Sequence, residues 1–159
     1  MEYSNVTGLA SDAIGQPGER TFLLQFFGEW GRNTYVLEKG QVAALAAGAR
    51  QLMKEVDYLP GEIPAAPTLI DEVPSFRIGQ LGLGWDESTE EALLTIDSVS
   101  DGDESVVYRI RIEVLAAAAR QGEAAVTSGR PTCERCGLAM DPEGHACPAT
   151  NGDLRNHRP

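Results

Sequence analysis

The amino-acid sequence predicts an α+β protein: an antiparallel sheet of about five strands with two helices on one face, followed by a short C-terminal zinc knuckle. Three observations carry this reading. Residues 105–113 alternate Val106, Tyr108, Ile110 and Ile112 with Val107, Arg109, Arg111 and Glu113, the period of an antiparallel strand with one dry and one wet face. Residues 40–56 place Val42, Leu45, Ala49, Leu52, Met53 and Val56 at the i, i+3, i+7 spacing of a helix with one apolar face. The three cysteines and one of the two histidines fall in the pattern C-x2-C-x8-H-x-C, from Cys133 to Cys147.

The elements follow in order. Residues 1–14 give weak signals, with a strand starting near Val6. Gln16-Pro17-Gly18-Glu19 has proline then glycine at the centre, as a type II turn requires. Residues 21–27, Thr-Phe-Leu-Leu-Gln-Phe-Phe, read as a strand rich in aromatic and aliphatic residues. Residues 28–33 read as a loop and 34–38 as the returning strand of a hairpin. The helix of 40–56 contains Gly48, which costs up to ~1 kcal/mol against alanine and predicts a close packing contact there. Pro60, Pro64, Pro67 and Pro74 make residues 57–75 an extended connector, whose length makes it a candidate functional loop but whose plainer reading is a loop that wanders over the surface. Three strands follow, at 76–85, 91–99 and 105–113. In the first, Leu81, Leu83 and Trp85 share one face, while Gly82 and Gly84 leave the other open to a closely packed helix or backbone. Residues 101–104, Asp-Gly-Asp-Glu, lack the twelve-residue pattern of a calcium loop and read as a solvated turn. An alanine-rich helix over 113–128 stops at Gly129, with Pro131 beyond it.

The division that results is a core domain over 1–130 and a metal-binding knuckle over 131–159, packed on the core because the link between them is so short. In the knuckle, two residues separate Cys133 from Cys136, so a tight turn aims both thiolates at one ion. Gly137 follows where that turn needs tolerance of positive φ. Asp141-Pro142-Glu143-Gly144 reads as a turn. In an extended segment His145 and Cys147 point to the same side. Cys133, Cys136, His145 and Cys147 together fill the four positions of zinc and leave none for substrate. His157 is the other histidine able to supply the fourth ligand. Two further readings are a Cys133–Cys136 redox pair and unliganded thiols. The order argues against a zinc deaminase, because its H-x-E precedes the cysteine pair, whereas here the histidine follows it.

Charge is distributed unevenly. Residues 55–104 hold thirteen acids and one base, Arg77, for a net of −12, out of −11 for the whole chain. A polyanion is repelled from such a region, and the cysteine segment has no aromatic residue on which bases could stack. No nucleic-acid partner is therefore expected. The solvated acidic face is the plain reading, and a docking surface for a basic protein partner is the sharper one. A hydrophobic fraction of 42% is ordinary for a soluble domain. No apolar run approaches the ~20 residues of a membrane span, and the first residues lack a signal-peptide pattern. Three cysteines, an odd number, fit poorly with a disulfide framework. The expected location is the cytoplasm.

Several stretches resemble one bacterial family. Gly15-Gln16-Pro17-Gly18-Glu19-Arg20-Thr21-Phe22-Leu23-Leu24-Gln25 is similar to the opening motif of the domain-of-unknown-function 3090 family, found largely in actinobacteria. The likeness continues through Leu37-Glu38-Lys39-Gly40-Gln41-Val42-Ala43-Ala44-Leu45, through Phe76-Arg77-Ile78-Gly79 with Leu83-Gly84-Trp85-Asp86, and through Gly129-Arg130-Pro131 into the cysteines. It closes on residues 141–148 with Asn151-Gly152. Thr132 and Glu134 stand where the family pattern has prolines, and Asp153 stands where it has an aromatic residue. The resemblance implies a metal site on Cys133, Cys136, His145 and Cys147 and brings no activity with it.

Two function classes remain. One is a non-catalytic zinc-containing binding or adaptor protein. It is favoured by the absence of a phosphate loop, a nucleophile elbow, an H-E-x-x-H pair and, with two histidines, a Ser/His/Asp set. The other is an enzyme with structural zinc and a polar site near the first hairpin, built from Arg20, Arg32, Glu38 and Lys39. Convergence of these four in a deep cleft would favour the enzyme. Their dispersal as a solvated rim would favour the adaptor.

Overall fold

The computed structural model of the chain describes residues 1–16, 18–59, 61, 63–100 and 105–128. In chain order they form β1 (Glu2–Tyr3), β2 (Val6–Ile14), β3 (Thr21–Gly28), β4 (Gly31–Leu37), α1 (Lys39–Glu55), β5 (Phe76–Asp86), β6 (Glu91–Ser98), β7 (Ser105–Arg111) and α2 (Ile112–Ser128). The expected zinc knuckle with Cys133, Cys136, His145 and Cys147, the alternative ligand His157, the 101–104 turn and the helix stop at Gly129 lie outside the described residues.

The sheet corrects the expectation of an antiparallel sheet of about five strands. It has seven strands in the order β1-β7-β6-β5-β4-β3-β2 and is mixed. β2, β3 and β4 form one antiparallel set and β5, β6 and β7 another. The sets join where Tyr35 and Val36 of β4 pair in parallel with Phe76 and Arg77 of β5. The cause is the connection. α1 and the segment after it carry the chain back past the end of β4, so that Phe76 enters beside Tyr35 and β5 runs in the same direction as β4, and such a crossover produces parallel neighbours. At the far edge, Glu2 and Tyr3 pair in parallel with Val107 and Tyr108. The first hairpin is also tighter than its sequence indicates. Residues expected as a loop continue the ladder to Gly28 opposite Gly31, leaving Glu29 and Trp30 as the turn. Gly31 supplies the positive φ (117°) that this turn needs.

Three strands separate β7 from β3 in the sheet. A flat sheet would hold them about 19 Å apart, at ~4.8 Å per strand. Instead the rings of Phe26 on β3 and Tyr108 on β7 stack at 3.6 Å. The sheet is therefore curled, with these residues on its inner side. Register places Leu9, Phe22, Leu24, Tyr35 and Leu37 on that side in one set, and Leu83, Leu94, Ile96 and Ile110 in the other. Both helices pack there. A Cβ added at Gly48 of α1 would meet Leu83 at 3.5 Å, an ordinary contact, so alanine would fit where closer packing was expected. Gly122 of α2 is different. A Cβ there would stand 2.8 Å from Ser11 Oγ and 3.0 Å from Val42 Cγ1, so α2 owes its closeness to β2 and α1 to this glycine. The glycine side of β5 does not receive a helix. A Cβ at Gly82 would meet Thr95 at 3.7 Å and one at Gly84 nothing. β7 passes into α2 with no loop between them.

The connector after α1 forms no strand or long helix among its described residues, yet it is not a wandering loop. It straps the outer side of β2–β4. The buried Gln25 donates to Thr34 Oγ1 and to Ile70 O, both at 2.9 Å, and accepts from Ile70 N at 2.9 Å. Ser75 N donates to Thr34 O, and Gln121 donates to Pro67 O while accepting from Ser11 N on β2. Gln121 thus covers the edge of β2 and the strap at once. Replacing Gln25 with leucine leaves the Ile70 amide and carbonyl without their partner. That change is expected to cost about 1–3 kcal/mol and to speed proteolysis within the strap. Limited proteolysis with mass mapping reads both, and an unchanged cleavage pattern would show the strap is held elsewhere.

Candidate functional site

α1 separates two polar depressions of opposite charge, about 25 Å apart at 1.5 Å per residue over its length. At its C-terminal end, the last turn, the β5–β6 turn and the start of α2 enclose a cleft of about 750 Å³. It is lined by Glu55, Asp57, Glu87, Glu90, Glu91 and Glu113, with Trp85 and Tyr58 as aromatic walls and Arg111 as a cation. Arg111 faces Glu113 at 3.6 Å and pairs across strands with Glu91. Asp57 and Glu90 both adopt φ of 58°, the left-handed region that side chains other than Asn and Asp enter at a cost. A helix C-terminus carries partial negative charge and favours cations, so acids placed there deepen the negative potential.

At the N-terminal end, Arg20, Glu38, Lys39 and Arg77 line a smaller depression of about 350 Å³. Glu38 caps α1 reciprocally with Gln41 and is bonded by Arg77 at 2.6 Å. Arg20 donates to Ala125 O at 3.3 Å. Arg32, the fourth residue of the candidate enzyme set, is elsewhere. It lies at the start of β4, bonded to Glu72 at 2.7 Å, and lines a separate depression with Thr7 and Phe27. The four therefore do not converge. The Arg32 guanidinium, helped by the Thr34 hydroxyl, holds the Glu72 carboxyl below its ordinary range, which makes this pair part of the strap's anchorage.

A third feature is the aromatic column. Tyr108 is fully buried between Tyr3 and Phe26, its ring 5.0 Å from one and 3.6 Å from the other. Its hydroxyl shares a 2.6 Å hydrogen bond with Tyr35 and accepts from Asn33 at 2.8 Å. Burial pushes its ionisation above the ordinary phenol range. Arg109 beside it binds Asp86 at 2.9 Å and Glu2 at 2.5 Å, tying β1 to β7 and β5. This pairing, with Ser88, holds the Asp86 carboxyl well below its usual value. These contacts serve the fold.

Sequence reasoning located the acidic region and missed the cleft. Glu113 and Arg111 lie outside 55–104, and only the tertiary fold brings them to Glu55 and Glu87. The available signal was Trp85 within an acidic run. Among the described residues no group of three or more His, Cys, Asp or Glu side chains is placed to hold a metal ion. No described helix is long and apolar enough to cross a membrane. A family model described as "Protein of unknown function (DUF3090)" matches residues 1–147, a span that includes all four predicted zinc ligands. No curated protein and no solved structure matches the chain.

Proposed function

We propose, for a chain that belongs to the DUF3090 family of proteins of unknown function, a non-catalytic role: it is an adaptor that holds a basic protein segment in its acidic cleft. It carries a structural zinc ion on Cys133, Cys136, His145 and Cys147. The observation behind the first half is the cleft at the C-terminal end of α1, where six carboxylates face one guanidinium. Like charges gathered with a helix C-terminus raise one another's energy, and a cationic partner relieves that repulsion. Trp85 and Tyr58 add ring faces on which a guanidinium can rest. The cleft is open to solvent and its β5–β6 turn residues are exposed, which suits a peptide segment better than an enclosed metabolite. Support for the second half is the donor set itself, three thiolates and an imidazole at zinc-ligand spacing.

The test is a titration of an arginine-rich peptide followed by Trp85 fluorescence. The expected result is saturable binding that weakens steeply as salt rises through ~0.15 M. Glu87→Lys with Glu90→Lys should weaken it at least tenfold, since both side chains lie in an exposed turn whose reversal leaves the core untouched. Binding that ignores the double reversal, or an acidic peptide that binds as well, would refute the cleft as the docking site.

A further inference from the structure

We infer that the open end of the curled sheet, where β4, β5 and β7 begin, is a binding site for a small planar aromatic molecule that carries a hydrogen-bond donor. The site shares no residue with the acidic cleft, so its failure would leave the adaptor reading standing.

The fold builds this end from inward-facing residues. Both helices pack on the inner side of the sheet. α1 meets β5 at Ile78, where Gln41 donates to Ile78 O at 3.2 Å, and lies over Leu83 by Gly48. Phe76, two residues before Ile78, is left half-buried. Register turns its neighbours to the same inner side. Asn33 lies opposite Phe26, Tyr35 beside Phe76, Val106 opposite Ile96 and Tyr3 beside Tyr108. With Ser105 at the rim they line a cavity of about 560 Å³. Mouths of curled and closed sheets are a common place for small ligands, and this volume is of their size.

Two further observations name the ligand's chemistry. The first is the walls. The Phe76 ring leans on Tyr35 at 4.8 Å, and the Tyr3 ring stacks on Tyr108 at 5.0 Å. Both outer rings are held by a neighbour yet remain half-buried, so ordered aromatic surface faces the cavity. A planar ring gains both area and ring contacts there, with little side-chain freedom left to lose. The second is Asn33. It is the one amide in the inward series Asn33, Tyr35, Leu37 of β4. Its Nδ2 donates to the Tyr108 hydroxyl at 2.8 Å, which fixes the plane of the amide. Oδ1 then remains an acceptor with no partner among the described residues. An oriented carbonyl oxygen beside rings selects an aromatic molecule bearing an N–H or O–H. No lysine or arginine side chain lines the cavity, so a neutral molecule suits it better than an anion.

Indole is the probe, titrated into the full chain while the backbone amides of Asn33, Phe76 and Val106 are followed by NMR. The expected result is a saturable shift at all three. Benzofuran has the same outline with an oxygen in place of the N–H. It should bind on the order of tenfold more weakly, the loss of one hydrogen bond. Asn33→Ala should bring indole down to the affinity of benzofuran. That ratio isolates the Oδ1 contact, because general loosening around Tyr108 would weaken both probes alike. Val106→Trp fills the cavity from within and should abolish binding. Ser105→Trp, at an exposed position on the rim, should weaken both probes without disturbing the core. Shifts that stay linear in indole would overturn the site. So would equal binding of the two probes by the parent, a tenfold preference that survives Asn33→Ala, or undiminished binding by both tryptophan variants.

Discussion

Replacing Tyr108 with alanine is expected to destabilise the protein by about 3–5 kcal/mol, a large part of the 5–15 kcal/mol that holds a typical domain together. Tyr108 is the middle ring of the column Tyr3–Tyr108–Phe26 and touches both strand sets. Those sets are otherwise joined edge to edge by two residue pairs of β4 and β5. Removing the ring opens a cavity where the curl of the sheet closes. It also leaves the Asn33 amide and the Tyr35 hydroxyl without the oxygen they share. Tyr108→Phe separates the two effects. It keeps the stack and removes only the hydroxyl, for an expected loss of about 1–3 kcal/mol. Urea denaturation of the three proteins gives the order parent, phenylalanine, alanine. An alanine variant as stable as the parent would show that the two strand sets do not depend on this contact.

The second large effect concerns the metal. The purified chain is expected to hold one zinc ion, and Cys136→Ser to abolish that stoichiometry, because three donors of a closed site bind far more weakly than four. Binding of structural zinc contributes ~10 kcal/mol or more to a small metal fold. Among the described residues, the strands and helices over 1–128 form one continuous apolar core. Chelation is therefore expected to remove hydrogen-exchange protection from about residue 131 onward and from the last turn of α2. β5 and β7 should keep theirs. Loss of protection in β5 and β7 together with the tail would make the metal integral to the core. A protein without zinc by elemental analysis would end the metal reading.

What the sequence made legible is what local periodicity encodes. The inner residues of β7, Tyr108 and Ile110, and the buried stripe of α1, Val42, Leu45, Ala49, Leu52 and Met53, follow from spacing alone. β1 is two residues long and too short to show any period. Strand direction has no period either, so nothing in Tyr35, Val36, Phe76 or Arg77 announces that they pair in parallel. Gly28, Gly31 and Asn33 look like loop residues. Only the inward alternation of Asn33, Tyr35 and Leu37 marks them as part of a ladder. Gln25 was readable as an oddity in an apolar run, but its partner Ile70 is 45 residues away. The candidate sites share this limit. Acid density is local, whereas the cleft needs Glu55, Glu87 and Glu113 from three elements.

The pairing of β1 with β7 sets an order on the protein's synthesis. Glu2 pairs with Val107, so among the described strands β1 finds its neighbour only after the other six have been made. Until Val107 and Tyr108 emerge, Tyr3 has only the tilted ring of Trp30 to pack on and Glu2 has no Arg109. During that interval β2, β3 and β4 can pair locally, since their hairpin turns are short. Closing the far edge requires joining the two ends of the described chain, a contact of high sequence separation, and such contacts slow folding towards the millisecond-to-second range. Once β7 has been made, its edge is bare until β1 docks on it, and an uncovered edge is open to wrong strand pairing.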